Sequence, residues 1–248
     1  PTVFSTARAY GNISMNFEQM LFSQGFGTRR DCRDLILSGD VSWNGAVVED
    51  PYETVEPEGK SFVVKGETWP FFEKAIIAMN KPEGYECSMK PSFHPSVLTL
   101  LPAPLRNRNI QPVGRLDEDT TGLLILTDDG AFQHYLIHPK HHVAKIYRAV
   151  LKHPAEESLV KQLLGGVLLK DERTPVAASD CRITGEHEIE LTLEQGKYHQ
   201  VKRMVAAAGN RVETLTRIQF GALTLPVDLK PGEWKWISSR AEITGKKA

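Results

Sequence analysis

The order of apolar and polar positions sets the first sixty residues apart from the rest of the chain. Apolar residues recur at helical spacing in FEQMLFSQ, and a second helix is predicted to begin after a Thr28 cap and to end at Gly39. Alternation around Asn44-Gly45 predicts a β-hairpin, because this dipeptide accepts the positive φ angles of a two-residue turn. A small unit of two helices and a hairpin is therefore expected here.

Strands with interspersed helices are predicted from about residue 73 onward. The run 122–127 is apolar on both faces, as a central strand of a sheet would be, and 74–80 is a second buried strand. Helices are expected at 131–138 and at 199–210. Because strands and helices do not alternate regularly, the pattern favours an α+β fold with a mixed, mainly antiparallel sheet.

The composition is that of an ordinary globular protein of 248 residues, with 41% hydrophobic and 25% charged positions. No apolar run reaches the roughly 18 residues of a membrane-spanning helix, and the first residues lack the apolar core of an export signal. Three cysteines, Cys32, Cys87 and Cys181, are far apart and odd in number, which indicates reduced thiols. We therefore expect a cytoplasmic protein with no membrane association.

Charge is distributed unevenly, although the net charge of the whole chain is only −1. Residues 1–60 carry 5 Lys and Arg against 9 Asp and Glu, whereas residues 61–248 carry 25 against 22. Any surface that binds nucleic acid must therefore be a local patch, not a field over the whole molecule.

Three consecutive carboxylates, Asp117, Glu118 and Asp119, stand between Gly114-Arg115 and the apolar strand. Carboxylates on a loop that a buried strand holds in place suit catalysis or metal binding. A solvated acidic turn would produce the same spacing. The spacing therefore leaves both interpretations open.

A basic helix face and a tyrosine in a strand are the other candidates for chemistry. His199, Lys202 and Arg203 recur at i, i+3 and i+4, so they share one face of a helix. This face could bind phosphate or pair with a buried carboxylate, or it could simply be solvated. In KIYRAV, Tyr147 lies between Lys145 and Arg148, where it could stack on a nucleobase or pack in the core.

A histidine-rich stretch is the only segment whose composition suggests a metal. His138, His141 and His142 are close together, but no further ligand at a distant position completes a tetrahedral set. We therefore expect a polar loop and no metal.

Four motifs together resemble those of one enzyme family. NKPEG (80–84), GRLDEDTTGLLILTDDG (114–130), KIYRAV (145–150) and GKYHQVKRM (196–204) occur in the order found in pseudouridine synthases of the RsuA family. The resemblance extends over about residues 74–238.

The first segment, through SQGFGTRRDCRDLILSGDVSWNG, resembles an S4 RNA-binding domain of small α/β type. Where such domains commonly open with Arg-Leu-Asp, this chain has Asn16-Phe17-Glu18, so the cation is lost. The resemblance implies an N-terminal tail, an S4-like domain, a linker and a pseudouridine-synthase-like catalytic domain. Their predicted bounds are 1–14, 15–60, 61–72 and 73–248.

The resemblance implies an isomerase that converts a specific uridine in ribosomal RNA, in particular small-subunit (16S) rRNA, to pseudouridine without any cofactor. Asp117 would be the catalytic aspartate, and Lys202 would hold its charge, with Arg203 as the alternative cation. Tyr147 would stack on the flipped uracil, and Arg115 would fill or brace the gap that the base leaves. The alternatives are a large-subunit (23S) rRNA enzyme and a non-catalytic RNA-binding assembly factor of the same fold.

The expected partner is ribosomal RNA or a ribosome-assembly intermediate, bound by a monomer. Further contacts to RNA are expected from cations on two elements. On the second helix of the S4-like domain these are Arg29, Arg30 and Arg33, and in the KIYRAV strand the candidate is Lys145.

Overall fold

A computed structural model of the chain describes residues 14–247, which form two compact units. Of these residues, the first unit contains 14–75 and 101–110, and the second contains 76–100 and 111–247. The predicted tail lies outside the described residues, apart from Ser14. Within the described part of the chain, no helix is long and apolar enough to cross a membrane.

The first unit contains two sheets, a four-stranded one in the order β3-β2-β5-β6 and the pair β1-β4. Its elements are β1 (Met15–Asn16), α1 (Phe17–Ser23), α2 (Arg29–Leu37), β2 (Val41–Trp43), β3 (Ala46–Val47), β4 (Thr54–Val55), β5 (Ser61–Val64), β6 (Glu67–Pro70) and α3 (Ala103–Asn107).

Local sequence signals account for much of this unit. Helix α2 begins with a reciprocal capping box between Thr28 and Asp31, and Gly39 follows its end with a φ of +77°. The β2–β3 hairpin turns through Asn44 and Gly45, whose φ angles are 51° and 78°. Both features were predicted from the sequence and are confirmed.

The range 61–72, predicted as a linker, instead forms strands β5 and β6. They pair antiparallel with one another, and β5 also pairs with β2. Lys65 and Gly66 close the hairpin with positive φ angles, and Phe62 and Trp69 face each other across it as buried residues. Burial of these two aromatic side chains fixes the segment in the first unit.

The range 101–110 also belongs to the first unit, although it was assigned to the catalytic domain. Buried Arg108 donates to the Gln24 side chain (3.0 Å) and to the carbonyl of Phe72 (2.7 Å). Asn107 Nδ2 donates to the carbonyl of Gly25 at 2.9 Å. These polar contacts connect a distant stretch of the chain to α1, which no local periodicity encodes.

The second unit is built on a nine-stranded sheet in the order β11-β12-β10-β13-β9-β7-β15, with β14 paired to β13 and β8 paired to β9. Its elements are β7 (Ile76–Lys81), β8 (Gln111–Val113), β9 (Thr121–Thr127), α4 (Gly130–Ile137), β10 (Lys145–Leu151), α5 (Glu157–Gly165), β11 (Asp180–Gly185), β12 (Glu188–Leu193), α6 (Gln200–Ala207), β13 (Val212–Phe220), β14 (Leu223–Thr224), β15 (Trp234–Trp236) and α7 (Ala241–Thr244), with 3-10 turns at Val97–Leu100 and Pro139–His141.

Strand β9 is central, since it pairs antiparallel with β7 and β8 and parallel with β13. The other strand pairs described in this sheet are antiparallel, so the predicted α+β class with a mixed, mainly antiparallel sheet is confirmed. Residues 122–127 are buried throughout, as predicted, with Leu123 and Ile125 packing in a core that includes Phe132 and Phe220. The loop that carries the three carboxylates therefore leads directly into the most deeply buried strand.

The three cysteines are reduced, as expected from the sequence. Cys32, Cys87 and Cys181 are free thiols, and each is buried. Burial raises the pKa of Cys32 and of Cys181 to about 11, so neither provides a thiolate nucleophile at neutral pH.

Candidate active site

The loop that carries the three carboxylates is held by a buried lysine from β7. The Lys81 ammonium is inaccessible to solvent and donates to the carbonyls of Pro82 (3.0 Å), Glu118 (2.9 Å) and Thr120 (2.8 Å). The amide of Gly84 donates to the same Glu118 carbonyl at 2.9 Å. Lys81 and Gly84 belong to NKPEG, so this motif fixes the backbone of the loop 114–120, the candidate catalytic loop.

The carboxylate of Asp117 is held from both of its oxygens. Lys202 Nζ lies 3.3 Å from Oδ2, and His199 Nε2 lies 3.1 Å from Oδ1. The side chain of Asp117 is 32% exposed and that of Lys202 28%, so the pair is only partly enclosed. Asp117 is therefore aimed by two groups and remains open to a ligand.

Lys202 is shared between two carboxylates. Its Nζ lies 2.7 Å from Asp119 Oδ1, closer than to Asp117. Burial tends to lower the pKa of the Lys202 ammonium, but the hydrogen bond to Asp119 and the charges of both carboxylates outweigh it and raise the pKa. Burial likewise tends to raise the pKa of Asp119, and Lys202 reverses this and lowers it. Asp119 thus has a part in the site, as the second partner of the lysine.

A cleft of about 80 Å³ brings together four residues predicted for the site. Arg115, Asp117, Tyr147 and Lys202 line it, and His199 is a fifth lining residue. The cleft is far smaller than the roughly 300–1,000 Å³ pockets of drug-sized ligands, so it suits a single ring. Arg115 is exposed at this cleft, whereas Tyr147 is only 9% exposed.

A second buried cation also binds the backbone of the loop. Arg217, on β13, donates from Nε to the carbonyl of Leu123 (2.8 Å) and from Nη2 to that of Gly114 (2.7 Å), and it lies over the ring of Phe220. Gly122 is required at the close approach of β9 and β13. A Cβ at this residue, whose φ is +105°, would lie 2.2 Å from the carbonyl oxygen of Arg217.

Lys145 is not placed to contact RNA, contrary to the sequence-based expectation. Its side chain is buried beside Tyr147 on the inner face of β10, with the ammonium over the ring of Phe220 and 3.3 Å from the carbonyl of Val143. Burial, together with the nearby charge of Arg217, lowers the pKa of Lys145 to about 8. Lys145, Tyr147 and Ala149 are buried residues of an alternating strand, and this alternation turns the Lys145 side chain inward.

Arg203 is engaged away from the cleft. It forms an ion pair with Asp171 and donates to the carbonyl of Tyr198 at 3.1 Å. Of the two cations predicted to pair with Asp117, Lys202 and Arg203, it is therefore Lys202 that contacts it. The pair Lys197–Glu172, at 2.8 Å, connects the segment before α6 to the same loop that carries Asp171. Arg203 therefore stabilises the loop at the start of α6.

The three arginines of α2 differ in their surroundings. Arg30 is exposed, and the guanidinium of Arg29 lies 5.1 Å from the centre of the Phe22 ring. Arg33 is only partly exposed and faces Glu18 at 3.5 Å, and its hydrogen bond to the side chain of Tyr52 is the main cause that raises its pKa. Arg29 and Arg30 are thus better placed for an RNA contact than Arg33.

No group of three or more His, Cys, Asp or Glu side chains able to hold a metal ion occurs among residues 14–247. Three residues of the site were not among those that the family resemblance assigned to it: Lys81, His199 and Arg217. The first two stood in recognised motifs, and His199 also had its helical spacing to Lys202. Arg217 had no local signal, because its partners Leu123 and Gly114 lie about a hundred residues earlier in the chain.

Comparison with known proteins gives a consistent result. Residues 75–207 match the family model described as RNA pseudouridylate synthase. Ribosomal small subunit pseudouridine synthase A of Salmonella typhimurium is 41% identical over 199 residues, which are 80% of this chain and 83% of that protein. Its namesake in Yersinia pestis is 37% identical over 199 residues, 80% of this chain and 82% of the relative.

A solved structure supports the same assignment. A crystal structure of a pseudouridylate synthase is 32% identical, covers 92% of this chain and 98% of its own, and superposes with a TM-score of 0.65. The motifs that resembled the RsuA family lie in the matched regions, and the fold and the sequence both agree with that resemblance. The chain therefore belongs to the RNA pseudouridylate synthase family.

Proposed function

We propose that the protein converts a specific uridine of small-subunit (16S) ribosomal RNA to pseudouridine. The observation that carries the proposal is the carboxylate of Asp117, held between Lys202 and His199 at a ring-sized cleft that Tyr147 and Arg115 also line. The relatives from Salmonella and Yersinia are both named for the small ribosomal subunit, which supports 16S rather than 23S rRNA as the substrate.

The proposed reaction needs a carboxylate and no cofactor. The bond between N1 of uracil and C1′ of ribose breaks, the base turns over, and C5 bonds to C1′. C5 loses its proton and N1 gains one, so there is no net oxidation and no group donor. Because breakage of a glycosidic bond builds positive charge on the sugar, an ionised carboxylate stabilises or captures it, and Asp117 is in place to do so.

The target uridine must leave its stack to reach Asp117, at a cost of a few kcal/mol. In the proposed complex, the ring of Tyr147 packs against the flipped uracil inside the cleft. The exposed guanidinium of Arg115 braces the position that the base has left. The lining of the cleft by Asp117 and Tyr147 supports the entry of the target nucleotide.

The first unit is proposed to act as an S4-like RNA-binding domain. Arg29 and Arg30 on the outside of α2 would contact phosphate, within a segment that is otherwise acidic. The substrate would be 16S rRNA, free or in an assembly intermediate, and the protein would act as a monomer in the cytoplasm, where this RNA is made into subunits.

Mapping of pseudouridines in 16S and 23S rRNA, in cells with and without the gene, tests the substrate. We expect one 16S site to disappear with the gene and to return with a plasmid copy of wild type but not with Asp117→Asn. Loss of a 23S site instead would identify a large-subunit enzyme. An unchanged map, with a growth defect that Asp117→Asn corrects, would indicate a non-catalytic assembly factor.

A further inference from the structure

An exposed phenylalanine stands on a closed loop beside the catalytic loop. We define the Glu86 loop as residues 86–96, which follow NKPEG in the second unit. Phe93 at its tip is 92% exposed, and Met89 is 50% exposed. A single exposed apolar side chain is common on protein surfaces, so exposure alone assigns nothing to Phe93.

The backbone of the Glu86 loop is organised around one carboxylate. Glu86 accepts from the amides of Ser92 (3.0 Å), Phe93 (3.0 Å) and His94 (3.1 Å). These bonds, led by that of Phe93, lower the pKa of Glu86 to about 2, so the carboxylate stays ionised at neutral pH. The loop therefore presents the Phe93 ring from a fixed backbone.

Two further contacts close the loop at its ends. Ser96 Oγ donates to the carbonyl of Ser88 at 2.5 Å, and Glu86 pairs with Ser96 as an isolated parallel bridge. An aromatic side chain on an ordered backbone loses little conformational entropy on binding, which favours a binding role over an incidental surface position.

The Glu86 loop is also connected to the catalytic loop. His94 lies between Glu86 (3.6 Å) and Glu118 (3.8 Å), the residue that follows Asp117. The carbonyl of Glu118 is in turn held by Lys81 and Gly84. His94 therefore places the Glu86 loop beside the loop that carries Asp117.

We propose that Phe93 stacks on an unpaired nucleobase of the substrate RNA that flanks the target uridine. The inference rests on the proposed function, because flipping of the target leaves its neighbours unstacked. An aromatic ring stacks on any base, and RNA is commonly recognised through such contacts to splayed nucleotides. The exposed Lys90 on the same loop is suited to the phosphate of that nucleotide.

Substitution of Phe93 separates stacking from simple apolar contact. Base–aromatic stacking is worth about 1–3 kcal/mol, so Phe93→Ala and Phe93→Leu should each weaken kcat/KM on a 16S rRNA transcript by roughly 5- to 150-fold. Phe93→Tyr and Phe93→Trp keep an aromatic face and should stay within about threefold of wild type. Leucine is the matched control, since it keeps the apolar surface and lacks a π face.

The controls exclude loss of folding and failure of the proposed function. Val227→Ala, at another fully exposed apolar residue, should leave turnover unchanged, and the thermal midpoint should be the same in all these variants. If wild type does not isomerise the transcript, the proposed function fails, and filter binding of the same RNA by wild type and Phe93→Ala still decides the inference. Equal activity and equal RNA affinity of Phe93→Ala and wild type would overturn the inference. A loss in Phe93→Ala that is absent in Phe93→Leu would also overturn it, because it would indicate apolar contact without stacking.

Discussion

Replacing Lys81 by methionine removes the ammonium that holds the catalytic loop and keeps an unbranched side chain of similar length. The Glu118 carbonyl retains the amide of Gly84, whereas the carbonyls of Pro82 and Thr120 each lose a charged donor at 3.0 and 2.8 Å. A buried acceptor that loses its donor costs about 1–3 kcal/mol. The two together would cost about 2–6 kcal/mol.

Removal of the buried positive charge of Lys81, by itself, should raise the stability of the folded protein. Burial lowers the pKa of Lys81, in spite of the attraction of nearby acidic groups, so the charged form carries a desolvation penalty in the folded protein. The relief of this penalty offsets part of the lost hydrogen bonding, so we expect a net loss of about 1–4 kcal/mol in the free energy of unfolding. Since the loop positions Asp117, and a shift of about 1 Å can cost a hundredfold in rate, kcat should fall about tenfold to a hundredfold.

Urea denaturation and single-turnover isomerisation of a 16S rRNA transcript measure the two effects. Lys161→Met, at an exposed lysine of the same unit that lies on α5, is the control and should change neither. A Lys81→Met variant within about 0.5 kcal/mol of wild type and with unchanged kcat would refute the argument that Lys81 fixes the loop.

Three further predictions concern buried charge, the second contact of Asp117 and the β9–β13 approach. The folded pKa of Lys145 is about 8, so its buried charge costs roughly 3 kcal/mol of stability below pH 8, and this cost disappears as the pH rises from 8 to 10.5. Lys145→Met removes the charge, so its free energy of unfolding minus that of wild type should be roughly 3 kcal/mol higher below pH 8 than at pH 10.5. Urea titrations at several pH values measure this difference. His199→Gln keeps a hydrogen-bond donor for Asp117, so its kcat should stay within about threefold of wild type. His199→Ala removes the donor and should lower kcat about fivefold to tenfold, a modest effect because the pair is partly exposed. Equal kcat values for the two variants would contradict the role of His199 as a donor to Asp117. Gly122→Ala should lose more than about 3 kcal/mol of stability by thermal unfolding, because a Cβ would collide with the carbonyl of Arg217, while Gly209→Ala, with open space and a similar φ, should lose less.

The sequence was sufficient where a feature depends on neighbours along the chain. The cap at Thr28, the turn at Asn44-Gly45 and the buried strand 122–127 all follow from local patterns and are confirmed. Asp117 came from a motif, because spacing alone did not distinguish the three carboxylates.

The sequence was insufficient where a side chain chooses between partners that are distant along the chain. Lys202 and Arg203 are adjacent, yet one reaches Asp117 and the other Asp171. Lys145 lies in a motif of the family, but only the packing of β10 against β13 shows that its ammonium is buried. These choices depend on the tertiary arrangement of loops and strands, which periodicity does not encode.

The most direct test of the central claim is tritium release from 16S rRNA transcribed with 5-tritiated uridine, because isomerisation expels the hydrogen of C5. Wild type should release tritium from the 16S transcript and not from a 23S transcript, and Glu118→Gln, the neighbouring carboxylate, should retain at least a third of the wild-type rate. Asp117→Asn should release none above background. Equal release by wild type and Asp117→Asn would contradict the assignment of Asp117 as the catalytic residue.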